Sequence, residues 1–259
     1  MRIKTSIAEL HVTDHGQSET ALVFLHYWGG SGRTWDNVVT RLRNDYRCIT
    51  PDLPGWGQST PSRKGYRMPD LAVAVKEMIE TLKLDQVVLI GHSMGGKVAQ
   101  YLAGQQPTWL QGLVLVASSP ALPMDLPASQ SQAMRTAYDS RESIEATLDN
   151  MLTATPLAGA VRRQAIADSL GGHAQAKAAW PTGAMHEDIS ERTSRIDVPT
   201  MLLSGERDLV DPPDVLSRRL VPYLPNPTFH TIPKAGHLLP LEAASNVAEY
   251  IVRHLKTTI

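Results

Sequence analysis

A serine bracketed by glycines follows a short apolar run. Residues 87–90 lead directly into Gly91-His92-Ser93-Met94-Gly95, which matches the pattern G-x-S-x-G. In this pattern a strand turns sharply into a helix, and glycine on either side leaves room for the crowded backbone. The serine then stands at the first turn of the helix, where free N–H groups and the helix dipole favour negative charge. The stretch therefore predicts a nucleophile at Ser93.

A serine hydroxyl is a weak nucleophile at neutral pH, so it needs a base to accept its proton and a carboxylate to orient that base. The chain holds nine histidines as candidates for the base. His26 and His92 flank loops and are interpreted as hydrogen-bonding supports, and His230 lies inside a predicted strand. Only His237 follows the last predicted strand, which makes it the candidate base.

The elements that must position these residues are visible as alternating apolar patterns. Short apolar runs predict buried strands at 21–25, about 46–50, 87–90, 113–116, 200–203 and about 228–232. Helical spacing predicts helices between them, and strands that alternate with helices indicate a parallel sheet covered on both faces. Residues from about 3 to 13 alternate apolar and polar, which predicts one antiparallel strand at an end of the sheet.

The rhythm changes between residues 119 and 196, where no strand-like run occurs. Alanine-rich helical stretches lie at 143–152 and 161–170, and the strand pattern resumes at 200. The predicted organisation is therefore a core formed by residues 1–118 and 197–259, with a helical cap inserted at 119–196.

In these features the chain resembles the α/β-hydrolase family. Its members carry the nucleophile, the acid and the histidine in that chain order. Ser93, Asp208 and His237 fall in this order, each after an apolar strand. The resemblance implies an α/β-hydrolase fold, with a mostly parallel central sheet, and a Ser-His-Asp triad.

The acid has competitors nearby in the sequence. The family pattern G-x-x-D matches residues 205–208 and places the acid at Asp208. Asp211 is the fallback, and Asp214 is a further carboxylate in the same stretch.

The resemblance also implies two backbone N–H donors for the oxyanion that forms during attack. One is Met94, directly after the nucleophile, and the other is Trp28 in the glycine-rich loop after the first buried strand. Many relatives have His-Gly where this chain has His26-Tyr27. Gly29 therefore stays open as the alternative second donor.

The stretch Asp52–Ser59 resembles the family pattern D-x-P-G-x-G-x-S, and we interpret it as scaffold. The single cysteine, Cys48, lies in a predicted strand and is interpreted as a small buried apolar residue.

Apolar side chains are candidates for the substrate pocket. The predicted pocket residues are Tyr27, Leu122, Met124, Trp180 and Leu238, and Met185 is a further cap candidate. Core packing within the cap is an equally good interpretation of the cap residues in this set.

The motif residues separate the chemistries found in this family. A serine at position 93 disfavours haloalkane dehalogenases and epoxide hydrolases, whose members carry aspartate there. Residues 238–242 hold no tryptophan, whereas hydrolases of carbon–carbon bonds usually carry one soon after the histidine. Residues 54–57 lack the Arg-Gly-His-Gly that haloperoxidase-like and enol-lactonase relatives tend to have. We predict a serine esterase that cleaves small to medium, mostly apolar carboxylic esters. The alternatives are a carbon–carbon bond hydrolase or lactonase of the same fold, or a hydrolase-fold protein that binds ligands without catalysis.

Composition narrows the partners. The 25 basic and 26 acidic residues give a net charge of −1 with no basic run, which disfavours nucleic acid and anionic membranes as partners. No window approaches the roughly 20 apolar residues of a membrane span, and the first residues lack the apolar core of a secretion signal. We expect a cytoplasmic protein that acts on a small-molecule ester and needs no cofactor or metal, since no H-x-H or H-E-x-x-H motif occurs.

Overall fold

An eight-stranded sheet forms the centre of the computed structural model, which describes residues 1–124 and 126–258. The strands are β1 (Arg2–Lys4), β2 (Glu9–His15), β3 (Thr20–Leu25), β4 (Arg47–Pro51), β5 (Gln86–His92), β6 (Leu110–Val116), β7 (Thr200–Gly205) and β8 (Thr228–Ile232). Their order across the sheet is β1-β2-β4-β3-β5-β6-β7-β8. The pairs β1–β2 and β2–β4 are antiparallel, and the remaining pairs are parallel. The predicted α/β class with a mostly parallel sheet is confirmed.

α-Helices connect and follow the strands, and some of them cover both faces of the sheet. They are α1 (Asp36–Leu42), α2 (Met68–Thr81), α3 (Met94–Ala103), α4 (Ala128–Thr136), α5 (Arg141–Thr147), α6 (Gly159–Gly171), α7 (Ala174–Thr182), α8 (Ser190–Thr193), α9 (Pro213–Arg219), α10 (Leu239–Glu242) and α11 (Ala244–Thr258). Within the described residues, none of these helices combines the length and the apolar character needed to cross a bilayer.

The continuous apolar run of β5 is explained by burial on both faces. Val87 and Leu89 belong to the core that also contains α2 and α3. Val88 and Ile90 point to the opposite core, which contains α1 and α11. Because successive strand residues face opposite sides, a strand covered on both sides must be apolar at every position.

The parallel strands bring distant loops to one edge. The carboxyl ends of β3, β5, β6, β7 and β8 lie along one edge of the sheet, because these strands are consecutive in the sheet and run parallel. The residues that follow these strands therefore share one rim of the sheet, which is where open α/β sheets form their sites.

The N-terminal prediction needs a correction. The single strand expected over residues 3–13 is two short strands, β1 and β2, joined by a tight turn. In this turn Thr5 accepts the Ala8 N–H on its hydroxyl at 3.0 Å and donates its own N–H to the Ala8 carbonyl at 2.9 Å. The side chain closes a local turn that competes with strand continuation. The placement at one end of the sheet is as expected.

The segment between β6 and β7 is helical. It carries α4 to α8 and is called the helical insertion here, residues 119–196 with Asp125 outside the described residues. The predicted stretch 143–152 is α5 followed by a π-helical turn at Leu148–Leu152, and 161–170 lies within α6. Helices α4, α7 and α8 were not predicted, because their alanine-rich or polar sequences lack a clear apolar stripe.

Candidate active site

The chain turns from β5 into α3 at Ser93. This residue has φ 52° and ψ −116°, an unusual conformation for a residue with a side chain. A Cβ on Gly91 would come within 2.5 Å of the Gly95 carbonyl oxygen, and one on Gly95 within 2.4 Å of the Leu25 carbonyl oxygen. The two glycines are therefore needed for close backbone packing, and the packing holds the strained serine at the sheet rim.

Ser93, His237 and Asp208 form a continuous hydrogen-bonded series. The Ser93 Oγ lies 2.8 Å from His237 Nε2, and His237 Nδ1 lies 2.8 Å from Asp208 Oδ2. With a neutral imidazole, the serine hydroxyl donates to Nε2 and Nδ1–H donates to the carboxylate. All three residues are buried, at 6% exposure or less. The three residues predicted to share a site are brought together in hydrogen-bonding order.

The Asp208 carboxylate is held by its own loop. Its Oδ1 accepts the backbone N–H groups of Val210 at 2.8 Å and Asp211 at 3.0 Å, which leaves Oδ2 for the histidine. Burial raises the pKa of Asp208, but the positive charge and hydrogen bond of His237 and the two N–H donors lower it more. The net pKa lies below the ordinary value, so this carboxylate is ionised at neutral pH.

His237 is oriented by backbone contacts as well. The backbone N–H of His237 donates to the Leu152 carbonyl at 3.0 Å, and the backbone carbonyl of His237 accepts from His92 Nε2 at 2.8 Å. Burial lowers the pKa of His237, but the charge of Asp208 and the hydrogen bond to it raise the pKa more, leaving it above the ordinary value. The support role expected for His92 agrees with this contact.

The competing carboxylates have different surroundings. Both side-chain oxygens of Asp211 are buried without a hydrogen-bond partner among the described residues. Burial raises the pKa of Asp211 to about 8, so this side chain is mostly protonated at neutral pH. Asp214 lies on the surface in α9, where Arg218 binds it at 2.7 Å. Asp208 is the carboxylate in contact with His237.

Three backbone N–H groups near the serine are candidate oxyanion donors. Those of Trp28, Gly29 and Met94 donate no hydrogen bond to the described part of the chain. Trp28 and Gly29 lie in a turn that is closed by the Gly30 N–H on the Tyr27 carbonyl at 3.0 Å. The geometry leaves all three groups available to a substrate oxygen.

His26 connects this turn to the next loop. Its Nε2 accepts the Leu53 N–H at 2.9 Å, which requires the other ring nitrogen, Nδ1, to donate to the Tyr27 carbonyl at 2.8 Å. Asp52 accepts the N–H groups of Gly32 at 2.7 Å and Gln58 at 2.8 Å. These contacts support the interpretation of residues 52–59 as scaffold.

Cys48 is fully buried in β4. Burial raises the pKa of its thiol to about 12, which keeps the thiol protonated and unreactive. Among the residues that the structure describes, no group of three histidine, cysteine, aspartate or glutamate side chains could hold a metal ion.

A cavity of about 180 Å³ opens beside Ser93 and His237. Its walls come from the loop after β3, the helical insertion and the loop after β7. The lining residues are Tyr27, Trp28, Ser93, Met124, Leu126, Gln130, Ala133, Met134, Ala137, Tyr138, Thr147, Met151, Leu152, Trp180, Leu209, Val210 and His237. Among the residues that the structure describes, this lining contains no aspartate, glutamate, lysine or arginine, so the described walls suit an uncharged, apolar group.

The structure places some of the predicted pocket residues at this cavity and others away from it. Tyr27, Met124 and Trp180 line the cavity, whereas Leu122, Leu238 and Met185 do not. Leu238 is fully buried in the core because its N–H is tied to the Leu152 carbonyl at 3.1 Å and its side chain packs inward.

Sequence reasoning missed several lining residues. Leu209 and Val210 directly follow the acid, and this position at a strand end was a usable signal. Tyr138, Met134 and Met151 lie in polar or alanine-rich parts of the helical insertion, where no periodic pattern marked an inward face.

Comparisons with known proteins agree with this fold. A family model described as the alpha/beta hydrolase fold matches residues 20–244. The chain therefore belongs to the α/β-hydrolase fold family.

Individual relatives carry different named activities. YugF of Bacillus subtilis, named an uncharacterised hydrolase, is 29% identical over 246 residues, which is 91% of this chain and 89% of that protein. A Pseudomonas putida 2-hydroxy-6-oxononadienedioate/2-hydroxy-6-oxononatrienedioate hydrolase is 28% identical over 88% of this chain and 85% of its own. The malate-bound structure of a thermophilic esterase from Thermogutta terrifontis has 26% identity and a TM-score of 0.83, covering 100% of this chain and 99% of the esterase. Membership of the family thus leaves the substrate to be argued from the site.

Proposed function

We propose that this protein is a serine esterase that hydrolyses small to medium, mostly apolar carboxylic esters. The observation that carries the proposal is the series Ser93–His237–Asp208, with both contacts at 2.8 Å, at the wall of an apolar cavity. In this geometry a hydroxyl facing the cavity has a base beside it and a carboxylate behind that base.

The reaction proceeds in two halves. The Ser93 Oγ bonds to the ester carbonyl carbon while its proton moves to His237 Nε2, and the C–O bond to the alcohol then breaks as Nε2 returns the proton to the leaving oxygen. A water molecule attacks the resulting acyl-enzyme in the same way, and the acid is released with Ser93 restored. Asp208 stabilises the imidazolium in both halves.

The oxyanion needs donors that are in place before attack. We assign the backbone N–H of Met94 and that of Trp28 to this role, with Gly29 as the alternative to Trp28. Each is free of protein acceptors within the described residues. A preorganised donor of this kind contributes about 10²- to 10³-fold in rate.

Cavity size and lining argue for the substrate class. The volume of about 180 Å³ is slightly larger than an apolar cavity of about 150 Å³ that binds benzene. One arm of the ester, of a few carbons or one ring, fits inside. Leu209 is 61% exposed and Met151 is 42% exposed at the mouth, where they offer apolar contact to the other arm.

The described lining residues carry no charge, which disfavours the hydrolysis of carbon–carbon bonds in dicarboxylate substrates. Two carboxylates in this cavity would lack a lysine or arginine partner among the lining residues, and an unpaired buried charge is strongly disfavoured. The lack of a tryptophan in residues 238–242 points the same way.

Turnover of a graded ester panel tests the proposal. We expect release of p-nitrophenol from the acetate and butyrate esters, and loss of several orders of magnitude in kcat for Ser93→Ala. Ser217→Ala, which removes an exposed hydroxyl on α9, is the matched control and should retain parental activity. Absence of turnover across esters, lactones and thioesters would instead favour a binding protein.

A further inference from the structure

The candidate oxyanion loop contains a turn with two possible states. Residues Tyr27 to Gly30 form the turn, and Gly29 at its third position has φ 97°, whereas Trp28 has no positive φ. This combination defines a type II turn. Glycine at the third position also permits the type I turn, which differs by a flip of the central Trp28–Gly29 peptide.

The central peptide decides where the N–H groups point. In a trans peptide the carbonyl and the N–H point in opposite directions. The Gly29 N–H belongs to the Trp28–Gly29 peptide, and the Trp28 N–H lies one residue before it. A flip therefore reverses the direction of the Gly29 N–H, whereas the Trp28 N–H in the preceding peptide keeps its direction.

A side chain from the helical insertion holds this peptide. The Tyr138 hydroxyl donates to the Trp28 carbonyl at 2.8 Å. Tyr138 lies between α4 and α5, 110 residues further along the chain. Burial raises the pKa of Tyr138 well above its ordinary value, so the hydroxyl keeps its proton and stays a donor.

Tyr138 itself has little freedom to move. Its ring packs against the Trp28 indole with centroids 4.2 Å apart and the planes tilted by 37°, and it meets the Trp56 ring edge-on at 6.4 Å. Lys177 Nζ donates to its carbonyl at 2.9 Å. The ring also covers Gly29, since a Cβ there would come within 2.5 Å of it. The Tyr138 hydroxyl is therefore held in a fixed position, whereas the turn that it contacts can adopt two conformations.

We propose that Tyr138 is a positioning residue that locks the Trp28–Gly29 peptide in one orientation and so fixes the direction of the Gly29 N–H, the alternative second oxyanion donor. The inference rests on the proposed esterase function. The helical insertion then does more than wall the cavity, because it fixes the orientation of a catalytic backbone element. Without the hydroxyl, the turn populates both states, and the Gly29 N–H points toward the oxyanion in only one of them.

Tyr138→Phe tests the lock because it keeps the ring and removes only the oxygen. We expect kcat to fall at least about tenfold, with an upper limit near the roughly 10²- to 10³-fold loss for an absent oxyanion donor. KM for p-nitrophenyl butyrate should change little. The inhibition constant of an alkyl trifluoromethyl ketone, whose serine adduct carries an oxyanion, should rise by a factor similar to the fall in kcat.

Tyr66→Phe is the matched control. It removes a hydroxyl that accepts the Ser62 N–H at 3.1 Å and does not line the cavity. We expect parental kcat and inhibition constant for this variant even where its melting temperature falls. A Tyr138→Phe variant with a lower melting temperature but parental kcat and inhibition would overturn the inference.

The Gly29 amide gives a readout that does not depend on turnover. In ¹⁵N-glycine-labelled protein, Tyr138→Phe should shift and broaden the Gly29 amide signal, and Tyr66→Phe should leave it unchanged. An unchanged Gly29 signal in Tyr138→Phe overturns the lock whether or not the protein hydrolyses esters. An inactive parental protein would contradict the proposed function alone.

Discussion

Asp208 and Asp211 lie three residues apart after β7, and their surroundings predict opposite roles. Asp208 contacts His237 Nδ1 at 2.8 Å, whereas both oxygens of Asp211 lack a partner among the described residues. Asp208→Asn should keep the geometry but present the wrong hydrogen-bonding partner to the imidazole, and kcat should fall by roughly 10³- to 10⁴-fold. Steady-state kinetics on p-nitrophenyl butyrate provide the measurement.

Asp211→Asn is the comparison for this variant. It replaces a side chain that is mostly protonated at neutral pH by a neutral amide of similar shape, so we expect only a small part of the Asp208→Asn loss. If the two variants lost activity equally, the assignment of the acid to Asp208 would be incorrect.

The pH dependence follows from the protonation of His237. The base must be neutral to accept the serine proton, so kcat/KM should fall as pH decreases through the pKa of His237. Burial lowers this pKa, but Asp208 raises it more, so the acid limb should lie above the ordinary histidine value. Asp208→Asn removes the raising effect and leaves burial, which should move the residual acid limb to lower pH. A rate profile that is flat between about pH 5 and 8 would contradict histidine as the base.

At the scale of elements, the helical insertion shapes the cavity. Met134 of α4 lines it and is partly buried, so Met134→Ala should enlarge the space for one arm of the ester. The shortened side chain lacks three non-hydrogen atoms, so the preferred chain length should increase by roughly one to three carbons. Each further buried methylene contributes about 0.8 kcal/mol of binding free energy. The measurement is kcat/KM across p-nitrophenyl esters from acetate to decanoate.

Gln132→Ala changes the same helix at an exposed position outside the cavity lining. It should leave the preferred chain length of the parental protein unchanged. If Met134→Ala kept the same preferred ester chain length as the parental protein, neither arm of the ester would occupy the space beside this methionine.

The elements differ in how well their sequences predicted them. Strand β5 was visible because burial on both faces makes every residue from 87 to 90 apolar. Helix α7 was not, because Ala174–Thr182 has no apolar stripe and includes Pro181. The N-terminal strand is split at a local turn that Thr5 closes through hydrogen bonds to Ala8. The alternation of apolar and polar residues gives no signal for such a turn.

At the scale of the molecule, chain order predicted which three distant residues lie together at the sheet edge. Ser93, Asp208 and His237 each follow a parallel strand, and parallel strands with neighbouring carboxyl ends bring such residues together. The cavity was harder to predict. Leu238 and Met124 are both large apolar residues, and only the packing of the folded chain decides that Met124 faces the cavity and Leu238 does not. The lock by Tyr138 joins residues 110 positions apart and had no local signal. The cytoplasmic location and the absence of nucleic-acid or membrane partners stay predictions.

Chemical labelling of the serine tests the central claim most directly. Intact-mass measurement after incubation with a fluorophosphonate should show one adduct per chain, and peptide mapping should place it on Ser93. Ser93→Ala should remain unlabelled while its melting temperature shows a folded protein, and Ser217→Ala should be labelled like the parent. An adduct on another residue, or a folded parental protein that takes up no label, would contradict an activated nucleophile at this position.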